Sequence, residues 1–341
     1  MSEVTESGLA DWRQRALAME AAVAQAVIGQ ARAIRHLNTA VFARGHVLLQ
    51  GDVGVGKTTL LRAFAQVLGG AFARTEGTVD LMPNDLVYYT YISEGGRPAV
   101  EPGPLIRHGD DLAIFFFNEI NRARPQVHAL MLRAMAERSV SAFNREFHFP
   151  HLLVFADRNR VEREETFEIS SAARDRFMME ITLEAPADDA ERRALMFDPR
   201  FHDTDRLVGA LQAAMLAHRE LNAVSDTLQR HVQASDALQD YALALWRATA
   251  APADFGVRLS DVDVAGLMLA GASPRGMSLL LRAARVAAWL EGRAYVTPED
   301  VQAVFVETIA HRLCFQPVYE LHRHEIAPQL MAGITAAVAA P

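Results

Sequence analysis

The sequence predicts an α/β fold: a parallel sheet covered on both faces by helices, followed by an all-helical second part. Three observations predict it. Short apolar runs alternate with helical stretches through the first half of the chain. One such run leads straight into a glycine-rich turn and then a helix. After about Pro186 the apolar positions recur only at helical spacing, as in "MSLLLRAARVAAWL".

The elements follow in order. Leu9 to Ala26 is alanine-rich and reads as a helix, which Gly29 interrupts. A second helix runs from about Gln30 to Ala43. "HVLLQ" (His46 to Gln50) is a short strand, "KTTLLRAFAQVLG" a helix ended by Gly69 and Gly70, and "AFART" (Ala71 to Thr75) the next strand. Thr78 to Asp111 carries prolines, paired glycines and clustered tyrosines, the composition of an inserted hairpin or loop. "IFFFNEINRA" (Ile114 to Ala123) is an apolar strand that ends in an acid. Pro125 to Arg138 is helical, Ser139 to Phe149 alternates around Asn144 like a β-hairpin, and "HLLVFA" (His151 to Ala156) is another strand.

The chain has 341 residues, half of them hydrophobic, which suffices for two domains. A boundary is expected at Ala185–Ala187. Residues 1–185 would hold the N-terminal helix and an αβα core with its insert near 78–111, and residues 186–341 a helical domain. A net charge of -8 argues against a nucleic-acid surface. The single cysteine, Cys314, permits neither a disulfide framework nor a cysteine metal site. The polar, acidic N-terminus lacks the features of a signal peptide, and no apolar run approaches the ~18 residues of a membrane span. A cytoplasmic protein is the expectation.

"GDVGVGKT" fits GxxxxGK-S/T, between a strand and a helix. Its glycines let backbone N–H groups curl around phosphates, and the helix start offers unpaired donors and a positive dipole end. The predicted phosphate-binding set is Gly51, Asp52, Val53, Gly54, Val55, Gly56, Lys57, Thr58 and Thr59. Lys57 can reach the β- and γ-phosphates of ATP, and the Thr58 hydroxyl can ligate Mg²⁺. An ordinary glycine-rich turn would not combine this spacing with the lysine, the threonine and both flanking elements.

In such sites a second strand supplies an Asp that supports Mg²⁺, often followed by a Glu that polarises the attacking water. Glu119 stands in the place of the base. Asn118 stands in the place of the Asp. Its amide oxygen can accept a hydrogen bond from a metal-bound water or from Thr58, but it brings no negative charge. Support for Mg²⁺ should therefore weaken.

Together these segments resemble the MoxR family of AAA+ ATPases, in the clade with an insert in helix 2. The resemblance runs from Val27 almost to the end. "VIGQ" (Val27 to Gln30), "DLMPNDL", "PGP", "NEINRARPQVHALMLRAMAERSV", "FADRNRVEREETFEISSAARDRF", "GASPRG" and "EGRAYVTPEDV" all carry it. It implies an AAA+ P-loop αβα sandwich with a C-terminal helical lid, binding ATP and Mg²⁺. It places Ile28, Gly29 and Gln30 near the adenine and Asn159 at sensor 1. Arg176, with Arg174 as its rival, falls at the arginine finger that reaches a neighbouring subunit; a guanidinium stays charged and forks towards phosphate oxygens. Arg275 falls at sensor 2 in the lid.

Two departures stand out: Asn118, and "ADRNR" (Ala156 to Arg160) where the family commonly has "ATQNP". Asp157 and Arg158 thus add charges beside sensor 1. These resemble the branch encoded beside methanol-oxidation genes. The resemblance implies a homo-oligomer, a hexameric ring, acting on a protein client such as methanol dehydrogenase or its assembly factors. A partner with a von Willebrand factor A domain is implied as well. Tyr88, Tyr89 and Tyr91 of the insert either touch a client or pack the hairpin. Three readings stay open: an active remodelling ATPase, a slow ATP-dependent scaffold or switch, and a nucleic-acid motor. The acidic charge disfavours the last.

Overall fold

The computed structural model describes Glu6, residues 8–159 and residues 166–341. Arg160 and the charged stretch 161–165 of the loop after sensor 1 lie outside the described residues. The chain divides into two compact units. One comprises Gln14–Arg176 and Ile181–Asn222; the other comprises the N-terminal residues to Arg13, Phe177–Glu180 and Ala223–Pro341.

Helices and strands alternate through the first half of the chain. Helix α1 (Gly8–Ala26) is followed by α2 (Ala31–Phe42), β1 (His46–Gly51), α3 (Lys57–Leu68) and β2 (Ala71–Glu76). The insert folds as a short helix α4 (Pro83–Val87) and a hairpin of β3 (Tyr88–Ile92) and β4 (Pro98–Pro102). Then come β5 (Leu112–Asn118), α5 (Pro125–Glu137), a second hairpin of β6 (Ser139–Ala142) and β7 (Arg145–His148), β8 (Leu153–Asn159), the one-turn α6 (Ser171–Arg174) and β9 (Phe177–Leu183).

Five strands form one sheet in the order β2–β5–β8–β1–β9. The β2/β5, β5/β8 and β1/β8 pairs are parallel. Every residue of β5 is buried, including Phe115, Phe116 and Phe117. Burial on both faces is what a parallel sheet requires and explains why β5 reads as a continuous apolar run. Each of these rings contributes about 2–3 kcal/mol by leaving water. The strand beginning at "HLLVFA" runs on through Asp157 to Asn159, carrying polar groups out of the core at the sheet's C-terminal edge.

The β6–β7 turn is made by Phe143 and Asn144, both with positive φ, the geometry of a tight hairpin turn. In the insert, Tyr88 packs on the Phe143 ring at 4.9 Å, whereas Tyr89 and Tyr91 are exposed. Tyr88 therefore packs between the two hairpins, while Tyr89 and Tyr91 face solvent.

The second unit is mainly helical, with Asp236–Ala250, Pro274–Leu290, Pro298–Ile309 and Arg323–Ala337 as its main helices. It also holds a small antiparallel pair, Met268–Ala270 with Cys314–Phe315, which helical periodicity does not announce. The "EGRAYVTPEDV" stretch is a helix start: Asp300 accepts the Thr297 N–H at 2.8 Å and takes both arms of Arg293. No helix among the described residues is long and apolar enough to cross a membrane.

His46 ties β1 to its neighbours. Its Nδ1 accepts the Val154 N–H at 2.9 Å, so the proton sits on Nε2, which faces the Met135 carbonyl at 3.2 Å. Burial, then the Arg138 charge, depresses its pKa from 6.5 to about 3. The unfolded chain takes up this proton near pH 6.5 and the folded one does not. Stability is complete above that value and is lost as pH falls towards 3. His46→Gln should flatten the pH dependence of the unfolding free energy between about pH 6 and 4 by about 1.4 kcal/mol per pH unit. Urea melts across that range measure it; an unchanged slope would remove His46 from the account.

Candidate nucleotide site

The site lies at the C-terminal ends of β1, β8 and β5, where ligands bind in open parallel sheets. The register sets which residues meet there. Leu49 pairs with Asp157 and Gly51 with Asn159; Phe117 pairs with Ala156; Glu76 pairs with Asn118. Partners in parallel strands project to the same face, and so do residues two apart along a strand.

β1 passes into the turn Gly51–Gly56. Gly54 and Gly56 adopt φ of +84° and +91°, values that suit glycine, and a Cβ added to either would meet no atom within 4 Å. Gly51 is different: a Cβ there would come within 2.6 Å of the Leu183 carbonyl at the end of β9. The turn is therefore an open cradle above a tightly packed base. Helix α3 starts at Lys57 beside that cradle, and no side chain caps it. Val53 at the tip is 75% exposed, Asp52 is exposed, and Val55, Thr58 and Thr59 are half-buried.

Lys57 is buried, its ammonium donating to the Gly51 carbonyl at 2.9 Å, the Asp52 carbonyl at 2.9 Å and Asn159 Oδ1 at 2.7 Å. The other end of the Asn159 amide, Nδ2, donates to Glu119 Oε1 at 3.2 Å. Glu119 Oε2 accepts from Arg122 at 3.0 Å. One asparagine thus bridges the phosphate-loop cation and the acid of the second strand.

The backbone of Glu119 is left-handed, with φ of 51°. Such a conformation costs about 1–2 kcal/mol for a residue with a side chain. Three contacts hold it. Its N–H donates to Asp157 Oδ1 at 2.6 Å. Gly77 lies so close that a Cβ there would sit 2.1 Å from the Glu119 carbonyl. His128 Nε2 faces the carbonyl of the next residue, Ile120, at 2.7 Å.

Asp157 is the site residue whose role sequence reading missed. It is 2% exposed. Burial pushes its pKa up to about 6, opposed by the Glu119 N–H and by the Lys57 charge. The available signal was the period of two in "HLLVFADRN", which puts Asp157 on the face of Asn159.

The remaining candidates fall elsewhere. Gln30 is buried and donates to the Glu184 carbonyl at 2.6 Å; at Gly29, with φ of +74°, a Cβ would meet Pro186 at 2.7 Å. The Ile28–Gln30 turn is thus docked on the segment after β9. Arg174 is buried, and Arg176, at the start of β9, is half-buried with no partner for its Nε among the described residues. Arg275 is exposed in the first turn of Pro274–Leu290, a helix capped by Ser273.

An open glycine cradle, a helix start with no side-chain cap and a buried lysine fit a nucleoside triphosphate. Thr58, Asn118 and Asp157 add oxygen atoms, the donors Mg²⁺ prefers. Among the described residues no group of three or more His, Cys, Asp or Glu side chains could hold a metal by itself. Mg²⁺ here would need the phosphates for much of its coordination.

Fold and site together define a P-loop ATPase with a helical lid. Residues 46–179 match the ATPase family associated with various cellular activities (AAA), and residues 264–329 match the AAA lid domain. Protein MoxR of Methylorubrum extorquens is 59% identical over 333 residues, 98% of this chain and 97% of that protein. Chaperone MoxR1 of Mycobacterium tuberculosis is 31% identical, over 91% of this chain and 78% of its own length. The solved structure of a provisionally named ATPase from Cytophaga hutchinsonii superposes with a TM-score of 0.84 at 27% identity, covering 98% of both chains. The chain belongs to the MoxR family of AAA+ ATPases.

Asp157 carries a stability prediction. Its folded pKa lies above its unfolded value of 3.8, so stability falls as pH rises through about 4 to 6, and the cost is complete at neutral pH. Asp157→Asn keeps an oxygen for the Glu119 N–H and removes the buried charge. It should stabilise the nucleotide-free protein by about 2–3 kcal/mol near pH 8 and by almost nothing near pH 4. Denaturant melts at the two pH values check this.

Proposed function

We propose that this MoxR-type ATPase couples hydrolysis of ATP with Mg²⁺ to the remodelling of a protein client within a ring of its own copies. The observation that supports the reading best is the Lys57–Asn159–Glu119 chain of hydrogen bonds beneath the open glycine turn. It joins the group that would hold the β- and γ-phosphates to the group that would handle the water.

In this reading Gly51 to Thr59 wrap the phosphates with backbone N–H groups, and Ile28, Gly29 and Gln30 border the base. Thr58 and Asn118 face Mg²⁺, which supplies charge neutralisation on the phosphates when bound. Glu119 accepts a proton from the attacking water, and Asn159 orients that water or the γ-phosphate. Lys57 leaves its carbonyl partners for the phosphates. Arg176 reaches a neighbour's site and Arg275 reads the γ-phosphate from the lid, so turnover follows assembly. The half-buried state of Arg176, against the buried Arg174, favours it as the group that extends across an interface.

The methanol-oxidation resemblance of "NEINRA" and "ADRNR" makes methanol dehydrogenase or its assembly factors the first client to test, with a von Willebrand factor A domain protein as co-partner. A hexamer and a cytoplasmic setting belong to the same proposal. The exposed Tyr89 and Tyr91 of the insert suit client contact. Asn118 favours a second reading, a slow scaffold that binds ATP and switches shape.

Glu119→Gln separates the two. For an active enzyme it retains ATP binding and lowers kcat by about 10²–10⁴-fold. A wild-type rate already at the Glu119→Gln level, with partners present, establishes the scaffold instead. A second measurement addresses the shared site. Mixing Arg176→Ala with Lys57→Ala subunits creates interfaces with one intact site, and activity should rise above that of either variant alone. Mixtures no better than their parts would return the role to Arg174.

A further inference from the structure

Asn118 leaves the second strand without its acid, yet an acid stands beside it. Phe117 pairs with Ala156, so the next residues, Asn118 on β5 and Asp157 on β8, are adjacent. Asp157 is itself paired with Leu49 on β1, two residues before the glycine turn begins. Asp157 and Asn159 share a face, and Asn159 is bonded to Lys57. The carboxylate therefore lies in the strand between the phosphate loop and the position where the acid is missing.

Its hydrogen bonding is incomplete. One oxygen takes the Glu119 N–H at 2.6 Å. The other makes no hydrogen bond among the described residues, and neither does the amide of Asn118, which is 7% exposed. Two neighbouring, nearly buried groups thus keep oxygen atoms unused on the face of the phosphate site. Holding the Glu119 backbone does not demand a charge, because an asparagine oxygen accepts the same N–H.

We propose that Asp157 supplies, from the adjacent strand, the negative charge towards Mg²⁺ that Asn118 does not. The pair Asn118–Asp157 then carries one charge, moved sideways by one strand. The proposal rests on the nucleotide site described above.

The test separates charge from hydrogen bonding and uses binding as well as turnover. The affinity of the full-length protein for a slowly hydrolysed ATP analogue is measured by calorimetry in EDTA and across a Mg²⁺ titration. Bound Mn²⁺ is followed by electron paramagnetic resonance. Asp157→Asn should leave affinity in EDTA within about twofold and weaken the Mg²⁺-dependent part by about tenfold or more. The exchanged double variant Asn118→Asp/Asp157→Asn puts the charge back on β5 and should recover most of that loss, together with the Mn²⁺ signal. A purely structural role for Asp157 predicts no such rescue. Unchanged Mg²⁺ dependence in Asp157→Asn, with nucleotide still bound, overturns this proposal and leaves the ATPase reading standing. Absence of nucleotide binding in the wild type overturns both. Thermal melts accompany each variant; loss of Mg²⁺ dependence in an Asp157→Asn protein that melts below the wild type, without rescue in the double variant, also counts against the proposal.

Discussion

The site depends on the parallel register of β1, β8 and β5. The side chains of the candidate site come from segments far apart in the chain, and only the register brings them level. Gly51 beside Asn159 lets one amide reach both Lys57 and Glu119. A slip of one residue would turn Asn159 to the opposite face and break both bonds. What opposes the slip is packing. β5 is buried along its whole length, and a shift would force its phenylalanines out of fitted positions in a close-packed core. The apolar core is thus what gives the polar cluster its precision.

A second constraint acts along β5. The chain must leave the sheet abruptly after Asn118 to present Glu119, and it does so through a left-handed residue. Strain of this kind persists where the surroundings over-determine it. Here the carboxylate of Asp157, the close approach of Gly77 and the imidazole of His128 hold the turn. Only a residue without a Cβ fits at position 77, so the end of β2 shares in placing the acid of β5. The same hydrogen bond draws Asp157 into the site. Its depressed ionisation is the cost of a buried carboxylate that Lys57 offsets in part.

Much of this was legible in the sequence, for reasons that differ by feature. The phosphate turn is local: Gly51 to Thr58 contain all its determinants in one stretch. The sheet was legible because two-sided burial writes itself as unbroken apolar runs. Glu119 was legible because it ends such a run. The hairpin at Asn144 was visible from its alternation. Asp157 was seen only as an added charge near sensor 1, since its meaning lies across strands, in its pairing with Leu49 and its hydrogen bond to Glu119. Helical periodicity is similarly blind to assignment. It shows that Asp189–Phe197 is a helix, but only contacts show that it groups with the sheet unit. The short strand pair in the lid leaves no periodic trace because each strand is two or three residues long.

An active site is specified by where charges stand in space, and a parallel sheet offers adjacent positions on neighbouring strands that are close to equivalent. An acid moved from one to the next would keep its charge near the phosphate loop. Reading "NEINRA" alone, the amide looks like a loss. Beside "ADRNR", the proposal is that an acid on β8 stands in at the position next to Asn118. The two positions are not equivalent, though. Asp157 on β8 is 2% exposed against 7% for Asn118 on β5, and its carboxylate also holds the backbone of Glu119. In this proposal the position of the charge and the geometry of Glu119, the candidate base, are coupled through one side chain, Asp157.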